Sequence, residues 1–584
     1  MMNRLIKVQR KLNKRFGANV TVKEDRGCLV LSGHVNTWDM AVEAGRIAVD
    51  KRHYIGLVND ICTNEQDNPI RLPNITDTSL DNLAPDVLVV GAGIIGCAIA
   101  RELTKYKCKV LLVDKEHDVA LHASSHNDGM VHPGVDLHKG QVKQKYNALG
   151  NEMYDEVCRD LGVEFKRTGQ YLCFNKAVLK PFLAIAPVYW HNMGVPCKYL
   201  SEKEIKALEP YVNENVKCAL SFPTAGIVCP YSLTIAYAEN AADNGAQISL
   251  DTAVLNMTTK NGNITSVITN RGTIYPKVVI NAAGVFSEEI ARMAEDRFFS
   301  IHPRCGTNSI TDKKSAYKIN TIVSGIGTSS TKTTHSKGGG MVSTVDGNTL
   351  VGPDAVETIY KENFATQRSS VHLTFVKQEK TVPTLSEGDI ITYFTGVRAA
   401  TYEEDFVITK GKFTHNIVHA AGIQSPGLTS APAISLEVAK MAVDILGEST
   451  EVEPNNNYNP VRKPIVNVSH LQDNERDELI HKNADYGVIV CRCEEISKGE
   501  ILDALHRSVP CDTVDGIKRR VRAGMGRCQG GFCGGQVAQI IAQDKQIPLE
   551  KVKKSGDGSE LVLCKNKSNI ASDNEKIAMG TSKE

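Results

Sequence analysis

The chain carries almost no excess charge, with 68 lysines and arginines against 67 acids over 584 residues. Nothing in that balance calls for nucleic acid or an acidic partner. Long apolar runs are missing as well. The longest, Val87 to Ala100, is broken by three glycines and falls short of the ~20 residues that span a bilayer. The chain is long, and neither a secretory signal nor an internal repeat is expected in it, so the 16 cysteines do not read as a disulfide framework. A reducing compartment follows, and the expected location is cytoplasmic, with peripheral attachment to the inner face of the membrane left open. The N-terminal stretch MMNRLIKVQRKLNKRF lacks serine, and no acid precedes Glu24. Leu5, Val8, Leu12 and Phe16 fall at helical spacing, which predicts an amphipathic helix rather than a transit peptide.

Length predicts three or four domains. After the first helix, strands are expected at Asn19–Glu24, Cys28–Val35 and Tyr54–Ile61, with a helix at Thr37–Lys51. Residues 1–66 thus form a small α/β module. Residues 67–85, polar and proline-containing, are expected to be a linker. From Asp86 to about Gly447 strands and helices alternate, as in an α/β enzyme: a Rossmann-like domain with an inserted mixed-sheet substrate domain. A second linker is expected over 448–486, a small cysteine-bearing helical domain over 487–545, and a largely disordered tail over 546–584.

Val87-Leu-Val-Val runs into Gly91-Ala-Gly93-Ile-Ile-Gly96 and then a helix-compatible segment. Gly91 allows the tight turn, Gly93 a close approach by pyrophosphate, and Gly96 close helix–strand packing. The helix N-terminus then faces the phosphates. A second strand, Lys109–Val113, ends in Asp114, whose carboxylate suits free ribose hydroxyls. The motif specifies a dinucleotide and leaves FAD against NAD open.

Cys491-x-Cys493, followed after 34 residues by Cys528-x4-Cys533 within GMGRCQGGFCGG, sets four thiols in two close pairs among glycines. A [2Fe-2S] cluster needs two sulfur ligands per iron and backbone N–H groups near its sulfurs. Zinc is a rival, although the one-residue spacing is unusual for it. A redox disulfide joining Cys528 to Cys533 is another. The basic run Lys518, Arg519, Arg520 and Arg522 reads as a solvated helix face, a docking face for an acidic partner, or an offset to thiolate charge.

Three further segments carry a resemblance. They are Ala123-Ser-Ser-His-Asn-Asp-Gly-Met-Val-His-Pro-Gly134, Val278-Val-Ile-Asn-Ala-Ala-Gly284, and His419-Ala-Ala-Gly422-Ile-Gln-Ser-Pro-Gly427-Leu-Thr429. Together with the glycine motif, about 360 residues resemble the FAD-dependent oxidoreductases of the D-amino-acid-oxidase (DAO) type. That group includes glycerol-3-phosphate and L-2-hydroxyglutarate dehydrogenases. The resemblance implies FAD as cofactor. It puts Ser125, Asn127 and Gly129 along the flavin ring, Ala283 and Gly284 near the adenine half, and Gly422, Gly427, Leu428 and Thr429 at the pyrimidine edge. A helix N-terminus there stabilises negative charge on a reduced flavin. The segment VCRCEEI…GMGRCQGGFC resembles the BFD-like [2Fe-2S] domain, which also occurs in the anaerobic branch of the glycerol-3-phosphate dehydrogenases. It implies Cys491, Cys493, Cys528 and Cys533 as cluster ligands. Residues 1–66, with LSGHV and GLVNDI, resemble a BON domain.

The same resemblance implies that Arg398, in Tyr393-Phe-Thr-Gly-Val-Arg398, clamps a substrate anion. His132 is expected beside flavin or substrate, or as base for the substrate hydroxyl. An ion pair of Arg398 with Glu403, Glu404 or Asp405 is the alternative. Residues 337–353 are expected to form a hairpin turning at Asp346-Gly347, with Lys337 a candidate to face the anion. One departure stands out: glycerol-3-phosphate dehydrogenases carry a phosphate-gripping arginine where this chain has Asp136. The expected function is oxidation of a small anionic alcohol, glycerol 3-phosphate or a 2-hydroxy acid, by hydride transfer to FAD. Electrons then leave through the cluster to a flavoprotein or a quinone-linked partner. The rival readings are amino-acid oxidation and a non-catalytic role in electron transfer.

Overall fold

A computed structural model of the chain describes residues 2–325, 339–448 and 451–564. These divide into two compact units, 1–464 and 465–584. The first unit is built on a six-stranded sheet. Its strands run in the order Gln247–Ser249, Val110–Val113, Val87–Val90, Val278–Asn281, Ile417–Ala421 and Val407–Lys410. All neighbours are parallel except the last pair. Val87–Val90, Val110–Val113 and Val278–Asn281 are buried throughout, as parallel strands covered on both faces must be. Helices Ile94–Leu103, Val142–Leu161, Pro230–Asp243 and Gly427–Gly447 pack together. Leu88, Val113 and Val279 share a second apolar cluster with Val267 and Ile274 of a three-stranded sheet.

The inserted domain centres on a nine-stranded mixed sheet. Its strands Ile301–Thr311 and Ile390–Thr401 run antiparallel and set Arg304 opposite Arg398 and Gly306 opposite Gly396. The predicted hairpin is present, with Gly340–Ser343 paired to Thr349–Gly352. Lys337 lies outside the described residues.

The N-terminal module has the expected elements: helix Met2–Phe16, strands Val20–Asp25, Cys28–Val35 and Leu57–Thr63, and helix Trp38–Ala48. The first helix buries Val8, Leu12 and Phe16, the stripe that the 3.6-residue period predicts. Tyr402, from just beyond the Arg398 strand, completes this core. Its hydroxyl accepts from Asn59 Nδ2 at 2.7 Å. Arg46 pairs with Glu357 at 2.6 Å, and Leu57 N–H donates to Glu403. The module and the oxidoreductase region therefore belong to one compact unit.

The second unit contains helices Lys498–Leu505, Val514–Val521 and Gly534–Lys545 around a small core. Its boundaries are wider than the sequence suggests. Residues expected in the linker join it: Tyr486 is buried and donates to Asp503 at 2.5 Å, and Ile465 packs on the core. Val552, expected in the disordered tail, is fully buried in the same core. Local polarity hid these segments, because their few apolar residues have no periodicity until another element supplies the surface they cover. The remainder of that tail, 565–584, lies outside the described residues.

Candidate functional site

The strand Val87–Val90 feeds the helix beginning at Ile94, and the turn between them is tightly packed. Gly91 adopts φ +112°, and a Cβ on Gly96 would sit 1.8 Å from the Gly91 carbonyl oxygen. No side chain fits there, which is the packing the motif requires. Asp114 follows the neighbouring strand. Its carboxylate accepts from the N–H groups of Ala92 at 2.6 Å and Glu116 at 2.9 Å. A carboxylate has about four acceptor sites, so capacity remains for ribose hydroxyls. Burial pushes the Asp114 carboxyl upward, against these two bonds.

These residues open onto a cavity of about 350 Å3 whose wall includes Gly91, Gly93, Asp114, Ala283 and Gly284. Part of its wall comes from an unexpected source. Ile70 and Leu72, inside the segment read as a linker, line the cavity. Between them Arg71 donates to both oxygens of Glu116 at 2.6 Å. Lys115 bridges Glu116 and Glu362 at 2.7 and 2.6 Å. Burial works to raise the Glu116 carboxyl, but bonds and charge from His122, Arg71 and Lys115 hold it well below the usual carboxylate range. A sequence signal existed in the apolar pair flanking Arg71, but without a partner surface it resembled any linker.

The three flavin segments converge on the same turn. Ser124 Oγ accepts from Ile94 N–H at 2.8 Å, tying the first segment to the dinucleotide helix. A Cβ on Gly91 would meet Ala282 O and Ala283 Cα of the second. Thr429 Oγ1, in the first turn of the helix Gly427–Gly447, accepts from His132 N–H at 2.7 Å. The carbonyl of Leu428 accepts from Tyr154 at 2.5 Å. Gly422 abuts Thr401, at the end of the Arg398 strand. Ser125, Asn127 and Gly129 form a turn that closes on itself, with Asn127 donating to Ala123 O and Ser124 O and accepting from Gly129 N–H. Asn127 thus shapes the loop. An acid at one end, small residues along the wall and a helix N-terminus at the other fit an adenine dinucleotide carrying a flavin.

Arg398 sits half-buried beside this loop. Both terminal nitrogens donate to the Asp354 carbonyl at 3.0 Å, and among the described residues it forms no ion pair. The expected rivals are otherwise engaged. Glu404 pairs with Arg304 at 2.6 Å, Glu403 accepts from Leu57, and Asp405 caps the helix at Val142 and Lys143. Desolvation pushes the Arg398 guanidinium down, as does nearby Arg304. Asp128, which the sequence did not single out, opposes this charge. Its own carboxyl is pushed up by burial, and Arg398 pulls the other way. His132 Nδ1 accepts from Gly134 N–H at 3.0 Å, so the neutral ring carries its proton on Nε2. Asp136, at φ +74°, is solvent-exposed.

In the second unit the four cysteines come together as two pairs. Cys493 and Cys528 lie with sulfurs 3.6 Å apart, toward the surface, and the Cys533 thiol donates a hydrogen bond to Cys491 in the interior. The Cys491 thiol is pulled down to about 6, chiefly by Cys533, with N–H groups of Gly524, Glu494 and Cys493 adding to it. Backbone N–H groups of Phe532, Gly530 and Gly531 lower Cys528. The partner sulfurs Cys533 and Cys493 are pushed up, Cys533 chiefly by Cys491; four sulfurs in two pairs with backbone donors aimed at them are what an iron–sulfur centre takes. The basic run is not a free face. Arg522 pairs with Glu494 at 2.9 Å, Arg520 donates to Val509 O, and Lys518 reaches Gln529 of the cysteine loop.

Comparison with known proteins agrees with this geometry. The family described as FAD dependent oxidoreductase matches residues 86–441. The chain belongs to that family. A BFD-like [2Fe-2S] binding domain matches residues 489–543, which decides for the cluster over zinc or a disulfide. The chain is 39% identical over 494 residues to a glycerol 3-phosphate dehydrogenase of Caloramator mitchellensis, covering 83% of this chain and 99% of that protein. It is 31% identical over 376 residues to a glycerol 3-phosphate oxidase of Mycoplasma pneumoniae, covering 61% and 94%. Among solved structures, the dithionite-reduced L-α-glycerophosphate oxidase of Mycoplasma pneumoniae with FAD bound superposes with a TM-score of 0.60 at 28% identity. The match covers 66% of this chain and all of that one. This FAD dependent oxidoreductase therefore couples FAD-dependent oxidation to iron–sulfur electron transfer. None of its described helices is long and apolar enough to cross a membrane.

Proposed function

We propose that the chain is a glycerol-3-phosphate dehydrogenase. The observation that carries this reading is Arg398: a half-buried guanidinium without an ion-pair partner among the described residues, held on the Asp354 carbonyl beside the His132 segment. A permanently charged planar fork suits a phosphate or carboxylate. The similarity to a glycerol 3-phosphate dehydrogenase over nearly that protein's whole length favours phosphate. Asp136 does not oppose it, because an exposed carboxylate is hydrated and screened.

Oxidation removes a hydride from the carbinol carbon and a proton from its hydroxyl, giving dihydroxyacetone phosphate. FAD, when bound, takes the hydride, and the [2Fe-2S] centre passes the electrons on singly. Arg398 fixes the anion and so the orientation of the carbinol carbon. His132, with Nδ1 committed to Gly134, offers Nε2–H as a donor to a substrate oxygen. To accept the hydroxyl proton at Nδ1, it must release Gly134. Gly91, Gly93, Gly96 and Asp114 would hold the adenosine half of the cofactor, with Ala283 and Gly284 in the same cavity wall. Ser125, Asn127 and Gly129 shape the flavin loop. Gly422, Gly427, Leu428 and Thr429 present the helix N-terminus. Cys491, Cys493, Cys528 and Cys533 would ligate the cluster. An electron-accepting flavoprotein or a quinone-linked protein is the partner, received at the surface marked by Phe532, which is 82% exposed beside Cys533.

The test is an anaerobic absorbance titration of the holoprotein with glycerol 3-phosphate, L-2-hydroxyglutarate, glycine and proline. Glycerol 3-phosphate is expected to bleach the flavin band at the lowest concentration, followed by loss of cluster absorbance. Bleaching by an amino acid instead, or by no substrate while a reduced flavoprotein succeeds, overturns the reading.

A further inference from the structure

Among the described residues of the first unit, the most exposed apolar surface belongs to the 13-residue helix Lys180–Asn192 and the turn before it. Leu179, Leu183, Ala186 and Trp190 face inward onto the substrate-domain sheet, where Trp190 meets Phe222 edge-on at 5.5 Å. On the adjoining outer flank, about 100° round the helix, Val178, Phe182, Ile185 and Tyr189 recur at helical spacing and are 70%, 66%, 67% and 55% exposed. An ordinary surface helix keeps that second stripe polar. Here both stripes are apolar, and the outer one meets solvent.

The segment that carries this stripe has charges of one sign only. From Asn175 to Ser201 there is no acidic residue, while Lys176, Lys180 and Lys198 flank the helix. Lys180 is drawn 3.6 Å from Glu202; Lys176 and Lys198 are exposed. At about 1.5 Å per residue the helix is ~20 Å long, too short to span a hydrocarbon core of about 30 Å. An apolar stripe with aromatic side chains, bordered by lysines, is the pattern of a helix lying in the plane of a membrane interface. We propose that the helix Lys180–Asn192 docks this enzyme onto an anionic lipid surface, with Phe182 and Ile185 entering the acyl boundary and the exposed Lys176 and Lys198 meeting lipid phosphates.

The position has a consequence for the active site. The cluster beneath the helix includes Val135, and Val195, in the turn after the helix, sits against Gly134. Those residues directly follow His132, so the docked helix and one wall of the site share a packing layer. The partner is a lipid surface rather than an acidic protein because the centre of the stripe is apolar and the lysines lie at its edges. Such an arrangement recognises an interface that changes from charge to hydrocarbon with depth.

The experiment is flotation of the full-length holoprotein with vesicles of phosphatidylcholine alone and of phosphatidylcholine mixed with phosphatidylglycerol. Wild type is expected to float with the anionic vesicles only, and less as salt rises. The double variant Phe182→Ser/Ile185→Ser, at exposed positions, is expected to bind about tenfold more weakly or worse. Its flavin content and its activity with a soluble acceptor should be unchanged. Lys176→Glu/Lys198→Glu is expected to remove the preference for phosphatidylglycerol. Failure of wild type to float, or equal flotation of the double variant, overturns the proposal. So does a wild-type oligomer that dissociates in the double variant, which assigns the stripe to contact between copies.

Discussion

Replacing Gly306 by alanine displaces Arg398 without altering any charge. The two residues lie on neighbouring strands, and a Cβ on Gly306 would stand 2.2 Å from Arg398 Nη2 and 2.6 Å from Cζ, where ordinary contact begins at 3.4 Å. The guanidinium must withdraw by about 1 Å or more, and its 3.0 Å bonds to the Asp354 carbonyl cannot both survive. The clashing atoms end a flexible side chain, so the strands hold and the stability cost stays near 1 kcal/mol. A misplacement of about 1 Å in a positioning group costs on the order of 10²-fold in rate, equivalent to about 2.7 kcal/mol. Gly306→Ala is therefore expected to lower kcat/KM for glycerol 3-phosphate about 10²-fold, mostly through KM. FAD per chain, cluster absorbance and Tm should remain near wild type. The assay is steady-state oxidation with a soluble acceptor, paired with anaerobic flavin bleaching. A wild-type KM in a folded, flavin-loaded Gly306→Ala protein would refute the role given to Arg398.

Asp296→Asn breaks a fully buried pair in which His419 Nε2 lies 2.8 Å from Asp296, an arrangement whose disruption costs about 3–5 kcal/mol, so Tm should fall markedly in a thermal melt. Burial alone would raise the Asp296 carboxyl, but His419 and the N–H groups of Phe413 and Lys412 outweigh it and hold it below its ordinary value. Its stabilisation is thus complete above the unfolded value of about 4 and lost as pH falls through the lower folded value; a wild-type advantage over Asp296→Asn that persists undiminished at the most acidic pH contradicts this. Cys528→Ser should abolish the cluster signal and electron delivery to a one-electron acceptor, yet leave flavin bleaching by substrate intact; loss of both would place the cluster upstream of the flavin. Arg46→Ala removes the pair with Glu357, half-exposed on the arginine side, and should cost about 1 kcal/mol, read as faster hydrogen exchange across residues 1–63 with unchanged exchange in the second unit.

Much of this protein was legible in its chain because the chemistry is local. The glycine motif needs only Gly91, Gly93 and Gly96 in a row after a buried strand, since the tight turn, the close approach and the helix start involve neighbouring residues. The four cysteines announce themselves by spacing, and the amphipathic first helix by its period. Tertiary structure alone decided what depends on distant partners. Arg71 lies in a polar stretch that looks like a linker until Glu116 and the cavity wall give it a purpose. Val552 reads as tail until three helices supply a core. Arg398 had four plausible fates in the sequence, and only the pairing of its strand with Ile301–Thr311 showed that Arg304 engages Glu404 and leaves Arg398 on a carbonyl. The outer stripe of the Lys180–Asn192 helix belongs to the same class. A helix apolar all round reads as buried, and only the folded chain shows which of its faces has no neighbour among the described residues.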